Sequence, residues 1–198
     1  MEIQRVAVVG AGMMGRMIAF VLADLYPVGL CDVREVDVES EILASTKELV
    51  EKGAMTEGEI RRRLANITFT TDRTSRHVAD ADMVVEAVFE DMALKQETFA
   101  RLEEVCRPDC VFCTNTSVMS PSEISAKLKR RERFLGTHFW NPAHLIPLVE
   151  VVRTDATEQQ AVDAVMDVLR RAGKRPILCK KDVPGFIANR LQHALWRE

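Results

Sequence analysis

Short apolar runs alternate with longer stretches whose apolar residues recur at helical spacing. Val6 to Val9, Val28 to Cys31, Ile67 to Thr70, Met83 to Val85 and Val111 to Thr114 each predict a strand. So do Phe134 to Phe139, Leu148 to Val152 and Ile177 to Cys179. Met14, Met17, Ile18, Val21, Leu22 and Leu25 predict the first helix. Leu94, Phe99, Leu102 and Val105 share one face of another, and Val162, Val165, Met166 and Leu169 mark a third. A last helix begins near Phe186. It carries Leu191, Ala194, Leu195 and Trp196, with no Gly, Asn or Pro to stop it. Two polar segments, about 39–52 and 57–65, predict a helical excursion projecting after the second strand. Three helix starts are marked by capping pairs: Thr56 with Glu59, Ser120 with Glu123 and Pro121 between them, and Thr157 with Gln160.

Strands alternating with helices imply a mostly parallel sheet covered on both faces. Between Phe134 and Cys179, two strands lack an intervening helix, so part of the sheet is expected to be antiparallel. The first strand leads directly into Gly10-Ala11-Gly12-Met13-Met14-Gly15, a G-x-G-x-x-G turn opening a helix. Asp32 follows at the end of the next strand, about 20 positions on. This is the pattern of a dinucleotide-binding βαβ unit, and the fold class is α/β, Rossmann-like and doubly wound. Gly10 permits the tight turn, Gly12 lets a pyrophosphate approach the backbone, and Gly15 lets the helix pack closely. Met13 and Met14 lie in the same candidate cofactor-binding turn, where the helix N-terminus presents free amides to phosphate. Asp32 would accept hydrogen bonds from ribose hydroxyls and repel a 2′-phosphate, which favours NAD over NADP. Arg34, two residues on, is the residue that would serve a 2′-phosphate instead.

Composition narrows the partners. A net charge of −3 over 198 residues gives no reason to expect nucleic acid or an acidic lipid surface. No apolar run approaches membrane-spanning length, and the N-terminus enters a core strand with no room for a signal peptide, so a cytoplasmic setting with reduced thiols is expected. Cys106, Cys110 and Cys113 have a C-x3-C-x2-C spacing shared with iron–sulfur radical enzymes, which hold three thiolates on one flexible loop. Here one closes a helix, one precedes a strand and one lies inside it. They are read as small buried apolar residues, and no metal is expected. The four histidines are too scattered for their spacing to suggest a metal site.

Four features fall at predicted strand ends, where a doubly wound sheet lines its ligand crevice. They are Asn115-Thr116-Ser117, His138, Glu150 and Asn189. His138 and Glu150 lie on adjacent predicted strands. A carboxylate beside a histidine holds one tautomer and stabilises its cation, which suits proton removal from an alcohol as hydride leaves for a nicotinamide. Each residue also has a structural use: a strand-end histidine in packing, Glu150 facing water, Ser117 capping a turn, Asn189 on a helix surface. His144 and His193 are read as surface or packing residues.

The motifs V-G-A-G-M-M-G, V-V-E-A-V-F-E-D, T-N-T-S, G-T-H-F-W-N-P, L-V-E-V-V and D-V-P-G-F-I-A-N-R occur in the order of one family. The chain resembles the NAD-binding domain of 3-hydroxyacyl-CoA dehydrogenases along nearly its whole length. N-P-A-H-L-I-P-L-V-E also resembles the λ-crystallin and L-gulonate 3-dehydrogenase branch. The resemblance implies NAD-dependent oxidation of a 3-hydroxyacyl-CoA, as in fatty-acid β-oxidation; a free 3-hydroxy acid or sugar acid, or NAD binding without turnover, are the alternatives. It implies His138 as general base, Glu150 as its orienting partner, and Ser117 and Asn189 on the substrate's oxygens. It further implies Ala87, Glu90, Lys95, Asn115, Ser117 and Asn141 along the nicotinamide half of the cofactor. Acyl-CoA members hold the CoA at the excursion, which here is short, with Lys47, Lys52 and Arg61 to Arg63 as its cations. The expected organisation is a dinucleotide-binding domain over 1–184. Residues 185–198 would begin a helix leading into an all-helical C-terminal domain, absent here, that forms a homodimer or docks as a separate partner.

Overall fold

A computed structural model describes residues 1–198. Eight strands form one sheet: β1 (Val6–Val9), β2 (Val28–Cys31), β3 (Ile67–Thr70), β4 (Met83–Glu86), β5 (Val111–Thr114), β6 (Phe134–Phe139), β7 (Leu148–Arg153) and β8 (Arg175–Cys179). The helices are α1 (Met13–Leu22), α2 (Val38–Glu51), α3 (Glu57–Ala65), α4 (Arg76–Ala79), α5 (Met92–Val105), α6 (Pro121–Ile124), α7 (Gln159–Arg171) and α8 (Ala188–Leu195). The strand order β3-β2-β1-β4-β5-β6-β7-β8 reverses direction between β1 and β4, where the glycine turn leaves the sheet. The strands from β1 to β6 are parallel, as a doubly wound Rossmann-like sheet requires. β6 and β7 are antiparallel because only the loop 140–147 joins them, and β8 runs parallel to β7 through the crossover helix α7.

The sheet is buried on both faces, which is why its strands read as uninterrupted apolar runs. Val6 and Val8 point into a core shared with α1 and α7, while Ala7 and Val9 point into one shared with α5. Ile42 of α2 and Ile60 of α3 reach the first core, so the excursion is anchored at its base. The Thr56–Glu59 capping box forms in both directions.

Three local expectations are corrected by the structure. Leu25 lies beyond the end of α1 and is 40% exposed; α1 instead buries Ala19 and Phe20, around most of its circumference. The inward stripe of α5 is Lys95, Thr98, Phe99 and Leu102, with Leu94 at its margin, because a buried carboxylate awaits Lys95. The helix start at Ser120 and Pro121 forms as expected, with the Ser120 hydroxyl accepting from Glu123 N at 3.3 Å, and α6 runs for 4 residues. Thr157 does not cap α7: its hydroxyl is drawn 2.7 Å from the Phe134 carbonyl, and Glu158 takes the cap position without a side-chain bond. All five cysteines are buried free thiols, and burial pushes Cys31 up to about 11. No helix is long and apolar enough to cross a membrane.

Candidate active site

The glycine turn separates what folding demands from what a ligand would demand. Gly10 has φ +102°, and a Cβ there would lie 2.6 Å from the Ala87 backbone at the end of β4. A Cβ on Gly15 would lie 1.7 Å from the Gly10 carbonyl oxygen. Folding therefore requires both. Gly12 is different: its φ of −65° and ψ of 179° suit any residue, and an added Cβ would meet nothing within 4 Å. Nothing in the fold excludes a side chain there, yet one would fill the space over the α1 N-terminus. No side chain caps the free amides of that end. The geometry fits a phosphate approaching the backbone. Gly12→Ala is expected to shift thermal unfolding by no more than about 1 kcal/mol of stability, while sharply weakening dinucleotide binding by calorimetry. Equal loss of both would assign Gly12 to folding.

Asp32 leaves β2 beside this turn. Its Oδ2 accepts from Ala11 N at 2.7 Å and its Oδ1 from Arg34 N at 3.1 Å. The Arg34 side chain is exposed. Arg16 braces the turn from α1, donating to Ala11 O and to Glu41, each at 2.8 Å. Met13 is 55% exposed at the helix start, whereas Met14 packs partly into the core.

Adjacent strand ends continue the crevice. Ala87 lies under the glycine turn. The backbone N–H of Asn115 donates to Glu86 O at 2.8 Å, and its side-chain Oδ1 accepts from Phe139 N at 2.9 Å, so Asn115 ties β5 to β4 and to β6. Glu90 accepts from the Thr116 hydroxyl and, at 3.0 Å, from Ser117 N. Burial pushes its carboxyl up, but the Thr116 hydroxyl, Lys95 and the Ser117 amide outweigh this and hold it below the ordinary carboxylate value. Lys95 is fully buried, 2.7 Å from Glu86 and 3.3 Å from Glu90. It meets the crevice through Glu90. Asn141 is exposed on the loop after β6, with no hydrogen bond to the other site residues.

His138 and Glu150 face one another in register across β6 and β7, with Nδ1 2.9 Å from Oε2. Burial pushes the Glu150 carboxyl up, but hydrogen bonds from His138 and from the Ala188 and Ile187 amides outweigh this and lower it. An ionised carboxylate only accepts, so in the neutral imidazole the proton is on Nδ1 and the lone pair on Nε2. Trp140 and Phe186 flank the ring at centroid distances of 5.2 and 5.8 Å. Glu150 Oε1 accepts from Ile187 N at 2.9 Å and Ala188 N at 3.0 Å, so it also caps α8 from a neighbouring strand. The next residue, Asn189, donates to Ser117 O at 2.9 Å, which joins Ser117, Asn189, Glu150 and His138 in one cluster. His144 is half-buried, and burial and Lys174 lower its pKa; His193 is exposed with its ring 5.1 Å from that of Trp196.

Glu86 was not foreseen as a site support. Glu86 is completely buried, and burial raises its carboxyl despite Lys95 and Thr114. The signal was available: an acid closing an otherwise apolar strand needs a buried partner.

The sequence profile described as "3-hydroxyacyl-CoA dehydrogenase, NAD binding domain" matches residues 5–183. The peroxisomal fatty acid β-oxidation multifunctional protein MFP2 of Arabidopsis thaliana is 36% identical over 96% of this chain, which spans 26% of that relative. A probable 3-hydroxybutyryl-CoA dehydrogenase of Bacillus subtilis is also 36% identical, with 96% of this chain and 67% of that protein covered. The crystal structure of the 3-hydroxybutyryl-CoA dehydrogenase of Escherichia coli superposes with a TM-score of 0.91 at 36% identity, covering 100% of this chain and 43% of that one. The chain belongs to the 3-hydroxyacyl-CoA dehydrogenase family, matching it through the NAD-binding domain.

Proposed function

We propose that the chain carries the cofactor and acid–base half of an NAD-dependent dehydrogenase that oxidises a 3-hydroxyacyl-CoA to the 3-oxoacyl-CoA. The observation that carries the reading is the buried His138–Glu150 pair, with Nε2 of His138 free of any protein partner. Bound NAD supplies the hydride acceptor. The chain's own residues handle the proton. His138 Nε2 takes it from the substrate hydroxyl, and Glu150 stabilises the resulting imidazolium. The Ser117 hydroxyl, and the amide of Asn189 not given to Ser117 O, are assigned to the substrate's oxygens. Trp140 and Phe186 keep bulk water from the ring. Five buried free thiols support a reducing, cytoplasmic setting.

Residues 185–198 are assigned to the start of a helical segment beyond the 1–184 domain. Leu191, Leu195 and Trp196 are 63%, 75% and 68% exposed along α8, a face suited to a helical domain or a second copy. A free hydroxy acid or sugar acid is the second reading, and the charges of the excursion favour it. Lys47 pairs with Glu51, Lys52 with Glu48, and Arg62 and Arg63 with Asp24, which leaves Arg61 for a CoA phosphate. Arg61 also lines a cleft of about 520 Å³ between α2 and α3.

Turnover of 3-hydroxyacyl-CoAs against free 3-hydroxy acids, with NAD and NADP, decides between them. It is measured on this chain alone and joined to a helical segment from a relative. The expected result is NAD-dependent acyl-CoA oxidation that rises strongly in the joined form. Holding both reactants in an attack geometry contributes about 7–11 kcal/mol, and the chain alone supplies one wall. Activity confined to free acids, or equal use of NADP, overturns the corresponding part.

A further inference from the structure

Lys174 stands immediately before β8 and is only 8% exposed. Its Nζ donates to Ile146 O at 3.0 Å and to the Ala143 carbonyl. Both acceptors belong to the loop joining β6 to β7. Its charged neighbour is Arg63 of α3, itself paired with Asp24 at 3.1 Å, and the loop's His144 is the other titratable group facing it. A buried ammonium without a carboxylate is costly, and a methionine of similar length would fill the space without that cost. What the ammonium adds is a set of donors that holds two loop carbonyls at once.

The loop so held begins with Trp140, whose ring lies 5.2 Å from that of His138, and continues through Asn141. We propose that Lys174 is a positioning residue for the His138 site, an ammonium clasp that fixes the loop from Trp140 to Pro147 by its Ala143 and Ile146 carbonyls. Burial, with Arg63 adding, pushes Lys174 down to about 8, and the neutral amine keeps two N–H donors for the two carbonyls, so the clasp holds on both sides of that value. The consequence for catalysis rests on the proposed function; the clasp itself does not.

The test reads the loop directly. The chain has two tryptophans, so Trp196→Phe leaves Trp140 as the reporter. Its indole Nε1 is buried without a protein partner, in surroundings that loop release would change. Emission of Trp140 and its quenching by acrylamide are compared in the parent and two variants at neutral pH. Lys174→Met has no donor for either carbonyl and is expected to shift the emission and raise the quenching. Lys174→Arg keeps donors for both carbonyls and is expected to retain the parent's emission and quenching, which serves if the methionine variant does not fold. A Lys174→Met variant with the parent's emission and quenching, or a folded Lys174→Arg variant that differs from the parent as a released loop would, overturns the clasp. In the active form, kcat/KM of Lys174→Met falls and that of Lys174→Arg does not. Absence of turnover in every variant with the emission pattern intact faults the proposed function and leaves the clasp standing.

Discussion

His138→Gln is expected to lower turnover by about 10²–10⁴-fold while leaving NAD affinity nearly unchanged. Glutamine fills much of the same space but has no basic nitrogen to receive the hydroxyl proton. His138 lies at the β6–β7 end of the crevice, away from the glycine turn and Asp32 that would hold the dinucleotide. Affinity and rate should therefore separate. Glu150→Gln sharpens the assignment. Its carbonyl oxygen would still accept from the Ile187 and Ala188 amides, but its NH₂ would face His138 Nδ1. Two donors cannot share that contact, so the imidazole is driven to the other tautomer and Nε2 loses its lone pair. Turnover should fall with α8 still docked. The measurements are kcat on the active form and calorimetric NAD binding. Near-full activity of His138→Gln would falsify the assignment of the base.

Glu150→Ala is expected to destabilise the fold by about 3–5 kcal/mol, because one completely buried carboxylate serves three donors. For a domain of this size that corresponds to a fall in Tm of roughly 6–20 °C. The loss should be pH-dependent. The Glu150 carboxyl is held below its unfolded value, so its contribution is complete above the ordinary glutamate pKa of about 4.3. It disappears as pH falls through the depressed native value. Denaturant midpoints of parent and Glu150→Ala should therefore converge on acidification below about pH 4. A gap that stays constant into acid would show that packing, rather than the ionised cap, stabilises this region.

The eight strands, the glycine turn with Asp32 and the Thr56 capping box were legible in the chain itself, because each rests on residues close in sequence. A doubly covered sheet needs continuous apolar strands, and a reciprocal cap needs two residues three apart. The pairing of His138 with Glu150 was legible for a related reason: the short loop between their strands leaves an antiparallel register as the local solution. Tertiary structure decided what distant partners control. Thr157 had the spacing of a cap, yet the Phe134 carbonyl, 23 positions away, took its hydroxyl. Lys95 shares the inward stripe of α5 with Phe99 and Leu102, and a lysine is tolerated on that stripe because Glu86, distant in sequence, supplies its counter-charge. Glu150 caps a helix 37 positions ahead, and Lys174 holds carbonyls 31 and 28 positions behind it. A hydrogen bond to a backbone group leaves no mark on the identity of the residue that offers it, so such contacts emerge only when the sheet brings the two segments together.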